Sequence, residues 1–251
     1  MHWAKEQVQR ALRARGYEVR KLVAPPADGR PYLENPETGP VNMRDKLARA
    51  ARGEPFEWPD ILALNSTVAR MIGPATHIVE LGGGTGAFAW EAAQNDTVRV
   101  TCSEFDPAAH DWASQHRARA NIRYVNGPVS RDDGPFDLLV AIEVVEHVAD
   151  YGGFLGTCAS LAPRALITTP NKLRNADTAT IGPPPYYQHV REWTAGEFYW
   201  VLRLFYDEVA LFAMPDPNRP SAVAVTVLDA RSPLIADCRH PVPGQRWKEN
   251  E

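Results

Sequence analysis

Ile78-Val79-Glu80-Leu81-Gly82-Gly83-Gly84-Thr85-Gly86-Ala87-Phe88-Ala89 is the stretch that decides how this chain folds. A short apolar run closes on an acid, passes through four glycines in five residues and opens into helix-forming residues. That order predicts a strand, a tight turn and a helix N-terminus. Glycine accepts positive φ and has no Cβ, so the backbone of such a turn can approach a bound molecule closely. The helix start adds unpaired N–H groups and the positive end of its dipole, which suit a carboxylate or a phosphate.

Outward from this turn, apolar runs and helical patterns alternate. Strands are expected at 76–81, 98–103, 122–126, 136–142 and 164–169, with helices at 86–94, 107–118, 150–161 and 194–204. Two last strands, at 207–213 and 221–229, flank the turn-rich Pro215-Asp216-Pro217-Asn218-Arg219-Pro220 and read as an antiparallel C-terminal hairpin. The fold class expected is α/β: a Rossmann-like, seven-stranded, mostly parallel sheet with helices on both faces. Residues 1–75 have a different texture and are expected to form an N-terminal helical extension. They comprise a helix over 5–14, a short strand over 17–23, a Pro- and Gly-rich loop over 24–40, and helices over about 43–51 and 59–72. Residues 76–230 form the ligand-binding domain in this reading, and 231–251 a Pro-rich, polar tail.

The composition narrows the function classes. With 251 residues, 44% hydrophobic and 23% charged, the chain is an ordinary globular protein able to bury a core. A net charge of −4 without a long basic run gives no support to nucleic-acid or membrane partners. The opening Met1-His2-Trp3-Ala4-Lys5 does not read as a signal peptide, and Cys102, Cys158 and Cys238 lack metal-like spacing. Reduced thiols and a cytoplasmic location are therefore expected.

Alone, Gly82-x-Gly84-x-x-Ala87 satisfies a dinucleotide fingerprint, with Glu104 near the distance of a ribose-binding acid. Three features bear on the ligand. Glu80, two residues before the glycines, can pair with a cationic amino-acid group or cap the turn. Ser103-Glu104-Phe105-Asp106-Pro107 ends the second strand, where Glu104 can reach two ribose hydroxyls and Phe105 can lie against a base. Asp106 before Pro107 fits an N-cap. The fourth strand runs straight into Glu143-Val144-Val145-Glu146-His147, beside the crevice where open α/β sheets bind ligands.

Together these stretches resemble the class I S-adenosylmethionine-dependent methyltransferases. The resemblance rests on Glu80-Leu81-Gly82-Gly83-Gly84-Thr85-Gly86, on Glu104, on Glu143-x-x-Glu146-His147, on Thr169-Pro170-Asn171 and on Gln188-His189-Val190-Arg191-Glu192-Trp193-Thr194. It implies S-adenosylmethionine as methyl donor, held by Glu80, Gly82, Gly84, Gly86, Glu104, Phe105 and Glu143. His147, His189 and Glu146 are then the expected catalytic residues. The acceptor implied is a small molecule, most simply a sugar or secondary metabolite methylated at a hydroxyl, with the N-terminal extension as a lid. Tyr32, Phe56, Trp58, Pro184, Tyr186 and Tyr187 are candidates for lining the acceptor pocket, although core packing explains Trp58 equally well. Asn126 or Ser130 stands where an adenine contact is common. A metal site is not expected, yet Glu143, Glu146, His147 and His189 are a set suited to a divalent ion, as in the metal-dependent RNA 2′-O-methyltransferases that these segments also resemble. An NAD(P)-dependent oxidoreductase and a non-catalytic nucleoside-binding protein are the remaining alternatives. Oligomeric state is not legible.

Overall fold

The structure, a computed structural model, describes residues 41–52, 57–172, 188–213 and 233–240. The expected helix over 5–14, strand over 17–23, loop over 24–40 and strand over 221–229 lie outside the described residues. In chain order the elements are α1 (Val41–Ala51), α2 (Pro59–Met71), β1 (His77–Leu81), α3 (Ala87–Ala92), β2 (Arg99–Glu104), α4 (Pro107–His116), β3 (Ile122–Asn126) and β4 (Leu138–Ala141). They continue as α5 (Tyr151–Leu161), β5 (Arg164–Thr169), α6 (Ala195–Leu202), β6 (Glu208–Ala213) and β7 (Leu234–Arg239).

Among the described residues seven strands form one sheet in the order β3-β2-β1-β4-β5-β7-β6. The first five are parallel, and β7 runs antiparallel to both β5 and β6. Alternation along the strands explains why both faces carry helices. On β1 and β4, Ile78, Leu138 and Val140 pack with Leu64 and Val68 of α2 and Phe88 of α3. Their neighbours Val79, Leu139 and Ala141 turn the other way, onto Leu155 of α5 and Phe198 of α6. A strand buried on both faces reads as a continuous apolar run, as these do. Helix starts follow their side chains. Asp106 accepts from the Ala108 and Ala109 N–H groups ahead of Pro107, and Thr194 with Glu197 forms a capping box on α6.

One expectation needs correction. The strand that pairs with β6 is Leu234–Arg239, within the segment expected to be a tail, and it inserts between β5 and β6. Prolines on either side disguise it, but Leu234, Ile235, Ala236 and Cys238 are buried. Its one acid has a partner: Arg164 of β5 donates to both carboxylate oxygens of Asp237 at 2.8 and 3.0 Å, and also to the carbonyls of Met71 and Ile72 at 2.8 and 2.7 Å. Among the described residues no helix is long and apolar enough to cross a membrane.

Because strand order reverses between β1 and β4, their carboxyl ends open a crevice. Glu80 and the segment after Ala141 meet there.

Candidate active site

The turn after β1 is built by backbone that other residues resist. Gly82, Gly84 and Gly86 have φ of 69°, 55° and 75°. A Cβ at Gly83 would collide with the Cys102 sulfur and lie 3.1 Å from Glu80 Oε2. The Gly86 N–H donates to Gly83 O at 2.8 Å and closes the turn. Glu104, at the end of the neighbouring β2, accepts from the Gly84 N–H at 2.6 Å and from the Asp106 N–H at 2.8 Å. Its carboxyl is thus fixed between turn and α4. Burial raises its pKa, opposed by those N–H groups.

Glu80 is 3% exposed, and its Oε2 has no hydrogen-bond partner among the described residues. Burial, chiefly, pushes its pKa up to about 8, with the Glu104 charge adding to the effect. A buried, unsatisfied carboxyl oxygen under a glycine turn is costly unless a cation or donor meets it.

Past β4 the chain leaves the sheet through Glu143, a non-glycine residue at φ 54°, and enters a single 3₁₀ turn, Val145–His147. Thr168 of β5 steadies this bend. Its Oγ1 accepts from the Glu143 N–H and donates to Glu143 Oε1, each at 3.0 Å. Strain at a sparsely populated φ next to a cavity is a mark of a working site. Glu146 is fully buried, with Oε2 accepting from Thr169 Oγ1 at 3.2 Å and Oε1 unpartnered among the described residues. Its pKa lies well above the carboxylate range, through burial first and the Glu143 charge second.

The two histidines meet here. His147 Nδ1 lies 3.0 Å from the Gln188 carbonyl oxygen, which can only accept, so the neutral ring carries its lone pair on Nε2. That nitrogen is 3.9 Å from Glu146 Oε1. His189 packs edge-on against His147 with ring centroids 4.9 Å apart, and its Nδ1 pairs with Glu192 Oε1 at 2.6 Å. The loop carrying His189 is tied down where the Val190 N–H donates to Glu146 O at 2.7 Å and the buried Trp193 bridges to Asn171. Burial, then the neighbouring His189, lowers His147 to about 4.

A cavity of about 340 Å³ joins the two halves. Glu80, Gly82, Gly84, Glu104, Phe105, Glu143, Glu146, His147 and His189 all line it, whereas Gly86 serves as the left-handed N-cap of α3 and does not. Trp58 lines it as well and is 58% exposed, so core packing is not its role. Tyr32, Phe56, Pro184, Tyr186 and Tyr187 lie outside the described residues. Neither candidate adenine contact faces the cavity. Asn126 donates to the Glu104 carbonyl at 2.9 Å, and Ser130 caps a 3₁₀ turn. Lys46, Glu57, Asn65 and Thr85 line it too and were not anticipated. Glu57 takes two hydrogen bonds from Arg117, at 2.9 and 2.5 Å, and one from the Thr85 hydroxyl, pinning the start of α2 to the glycine turn. No local pattern announces that pair, since its members lie 60 residues apart.

A family model described as "Methyltransferase domain" matches residues 40–205. The chain belongs to this family. It is a class I methyltransferase domain, of the group that uses S-adenosylmethionine as donor, and the nicotinamide reading of the glycine turn falls away. The domain is 40% identical over 140 residues to a ubiquinone biosynthesis O-methyltransferase of a Caulobacter species, covering 50% of this chain and 54% of that protein. It is 35% identical over 106 residues to the protein of the same name from Caulobacter vibrioides, covering 39% and 40%. The chain thus spans about half the length, or less, of these relatives. Among solved structures it is similar to the methyltransferase domain of bacterial CtHen1-C (TM-score 0.54, 17% identity, 73% of this chain and 98% of that one). The plantazolicin methyltransferase BpumL in complex with SAH aligns with TM-score 0.55 at 10% identity, over 84% of this chain and 93% of that one. At such identities these likenesses show the fold alone.

The methyltransferase domain combines a turn open to close approach, a buried acid at Glu80 with one oxygen unpartnered among the described residues, and a fixed carboxyl at Glu104. It also gathers a possible cation site. Glu146, His147 and His189 offer ligand atoms within 4.8 Å of one another.

Proposed function

We propose that this domain methylates a hydroxyl of a small molecule, using S-adenosylmethionine held over the glycine turn. The observation that carries the reading is one cavity shared by that turn and by the His147 imidazole, whose Nε2 lone pair is not engaged by the Gln188 carbonyl. Glu80 would meet the donor's ammonium, Glu104 its ribose hydroxyls, and Phe105 the face of its base. Glu143 would approach the donor from the β4 side. The two relatives named for ubiquinone biosynthesis support a hydroxylated ring as acceptor over a sugar.

The donor supplies an already activated methyl group, so the protein's tasks are alignment and removal of the acceptor proton. His147 is neutral at pH 7, because burial disfavours its charged form. The same shift makes it a weak base. Against a phenol-like hydroxyl near pKa 10 the gap is about 6 units, roughly 8 kcal/mol. Transfer to Nε2 before methylation is therefore unfavourable, and the proton must leave as the new C–O bond forms and the oxygen becomes acidic. Glu146, whose Oε1 lies 3.9 Å from that nitrogen, can share the proton.

A second reading rests on the same three side chains. Glu146 Oε1, unpartnered among the described residues, and the imidazoles of His147 and His189 are a donor set for a divalent ion. Such an ion would acidify a hydroxyl bound to it and close the gap just described.

Methyl transfer from labelled S-adenosylmethionine to catechol, with and without a chelator, tests both. His147→Ala is expected to lower the rate 10²- to 10⁴-fold while affinity for S-adenosylhomocysteine stays within twofold. Loss of activity with chelator and its return with magnesium or manganese would establish the second reading. An unchanged rate in His147→Ala would refute both.

A further inference from the structure

S-adenosylmethionine carries three charges, and two are cations. Its carboxylate must enter a cavity lined by Glu57, Glu80, Glu104, Asp106, Glu143 and Glu146. Those of them that are ionised repel it, and Glu80 joins them once the donor's ammonium meets it, so an anion there needs a cation of its own. Among the described residues that line the cavity, Lys46 is the sole lysine or arginine.

Three observations point at Lys46. First, it makes no hydrogen bond or ion pair among the described residues, although it is largely withdrawn from solvent on α1. An ammonium partly stripped of water and left unpaired is costly. Burial accordingly pulls it below the usual lysine range, with Glu57 opposing. Second, the acid nearest in charge effect is already satisfied: Glu57 holds the Arg117 fork and the Thr85 hydroxyl. Third, the field of Lys46 reaches both Glu57, beside the glycine turn, and His147, across the cavity. It lines the same cavity as the glycine turn and His147.

We infer that Lys46 clamps the carboxylate of the donor's amino-acid half, so that α1 completes the donor site begun by the glycine turn. The inference rests on the donor reading. It adds an electrostatic division of labour, with Glu80 for the ammonium and Lys46 for the carboxylate.

Calorimetry on the full chain with S-adenosylhomocysteine and with 5′-methylthioadenosine, which lacks the amino-acid group, tests it. Lys46→Met is expected to weaken S-adenosylhomocysteine about 10- to 100-fold, leave methylthioadenosine within twofold, and keep the melting temperature. Lys46→Arg should recover most of the loss. Unchanged S-adenosylhomocysteine affinity in Lys46→Met would overturn the inference. So would a parallel loss for both nucleosides, or an effect confined to KM for 3,4-dihydroxybenzoate relative to catechol, which would place the anion on the acceptor. Wild-type protein that binds neither nucleoside would instead refute the donor reading itself.

Discussion

Glu80 ties ligand binding to proton release at the scale of one residue. With burial holding its pKa at about 8, the empty turn carries a neutral acid at pH 7. An ammonium placed beside it favours the ionised form, so binding should expel up to one proton. Calorimetry of S-adenosylhomocysteine at pH 7, in buffers of different ionisation enthalpy, is expected to show that release. Glu80→Gln should abolish it and weaken binding about 10-fold. His147 is the converse case: its pKa is lowered, and its contribution depends on the ring staying neutral. Both residues were named from their places in the sequence, Glu80 before the glycines and His147 in the cluster after β4. Their titration states come from burial, which no linear pattern displays.

At the scale of elements, β7 is held by one acid. Burial works against ionised Asp237, and hydrogen bonds from Arg164 and then Arg239 outweigh it, leaving its pKa below the usual range. Arg164 at the same time satisfies the last carbonyls of α2. Asp237→Ala would leave that half-buried guanidinium without its carboxylate and is expected to cost about 3 kcal/mol, read as a lowered midpoint in chemical denaturation. Glu57→Ala should act differently. It removes the link between the start of α2 and the glycine turn, so donor affinity should fall along with stability. Isothermal titration beside thermal melting separates the two effects.

For the molecule as a whole, the site's groups set how stability varies with pH. Glu80 has a folded pKa above its unfolded value of 4.5, so its contribution is present below pH 4.5 and is lost as pH rises through about 8. His147 is lowered from 6.5 to about 4, so its contribution is present above pH 6.5 and is lost as pH falls through about 4. The two slopes oppose each other between pH 4.5 and 6.5; above that the Glu80 slope continues, in the same direction as that of Glu146, whose pKa burial also raises. Ligand-free protein is therefore expected to lose melting temperature from pH 6.5 to 8, and Glu80→Gln to flatten the decline. Saturating donor product, at about 100 times its Kd, should add about 2.7 kcal/mol and raise the melting temperature by several degrees.

Local order along the chain determined the class of this protein. The glycine turn after Glu80, the alternation of apolar runs with helical patterns, and Glu104 twenty-four residues beyond Glu80 are features of near neighbours, so they are legible without coordinates. Only tertiary structure decided that the strand beside β6 is Leu234–Arg239, that Glu57 and Arg117 lock α2 to the turn, and that Lys46 faces the cavity. The reason is physical. Propensity and periodicity act over a few residues, whereas a buried ion pair or an unpaired ammonium depends on which distant segments exclude water together.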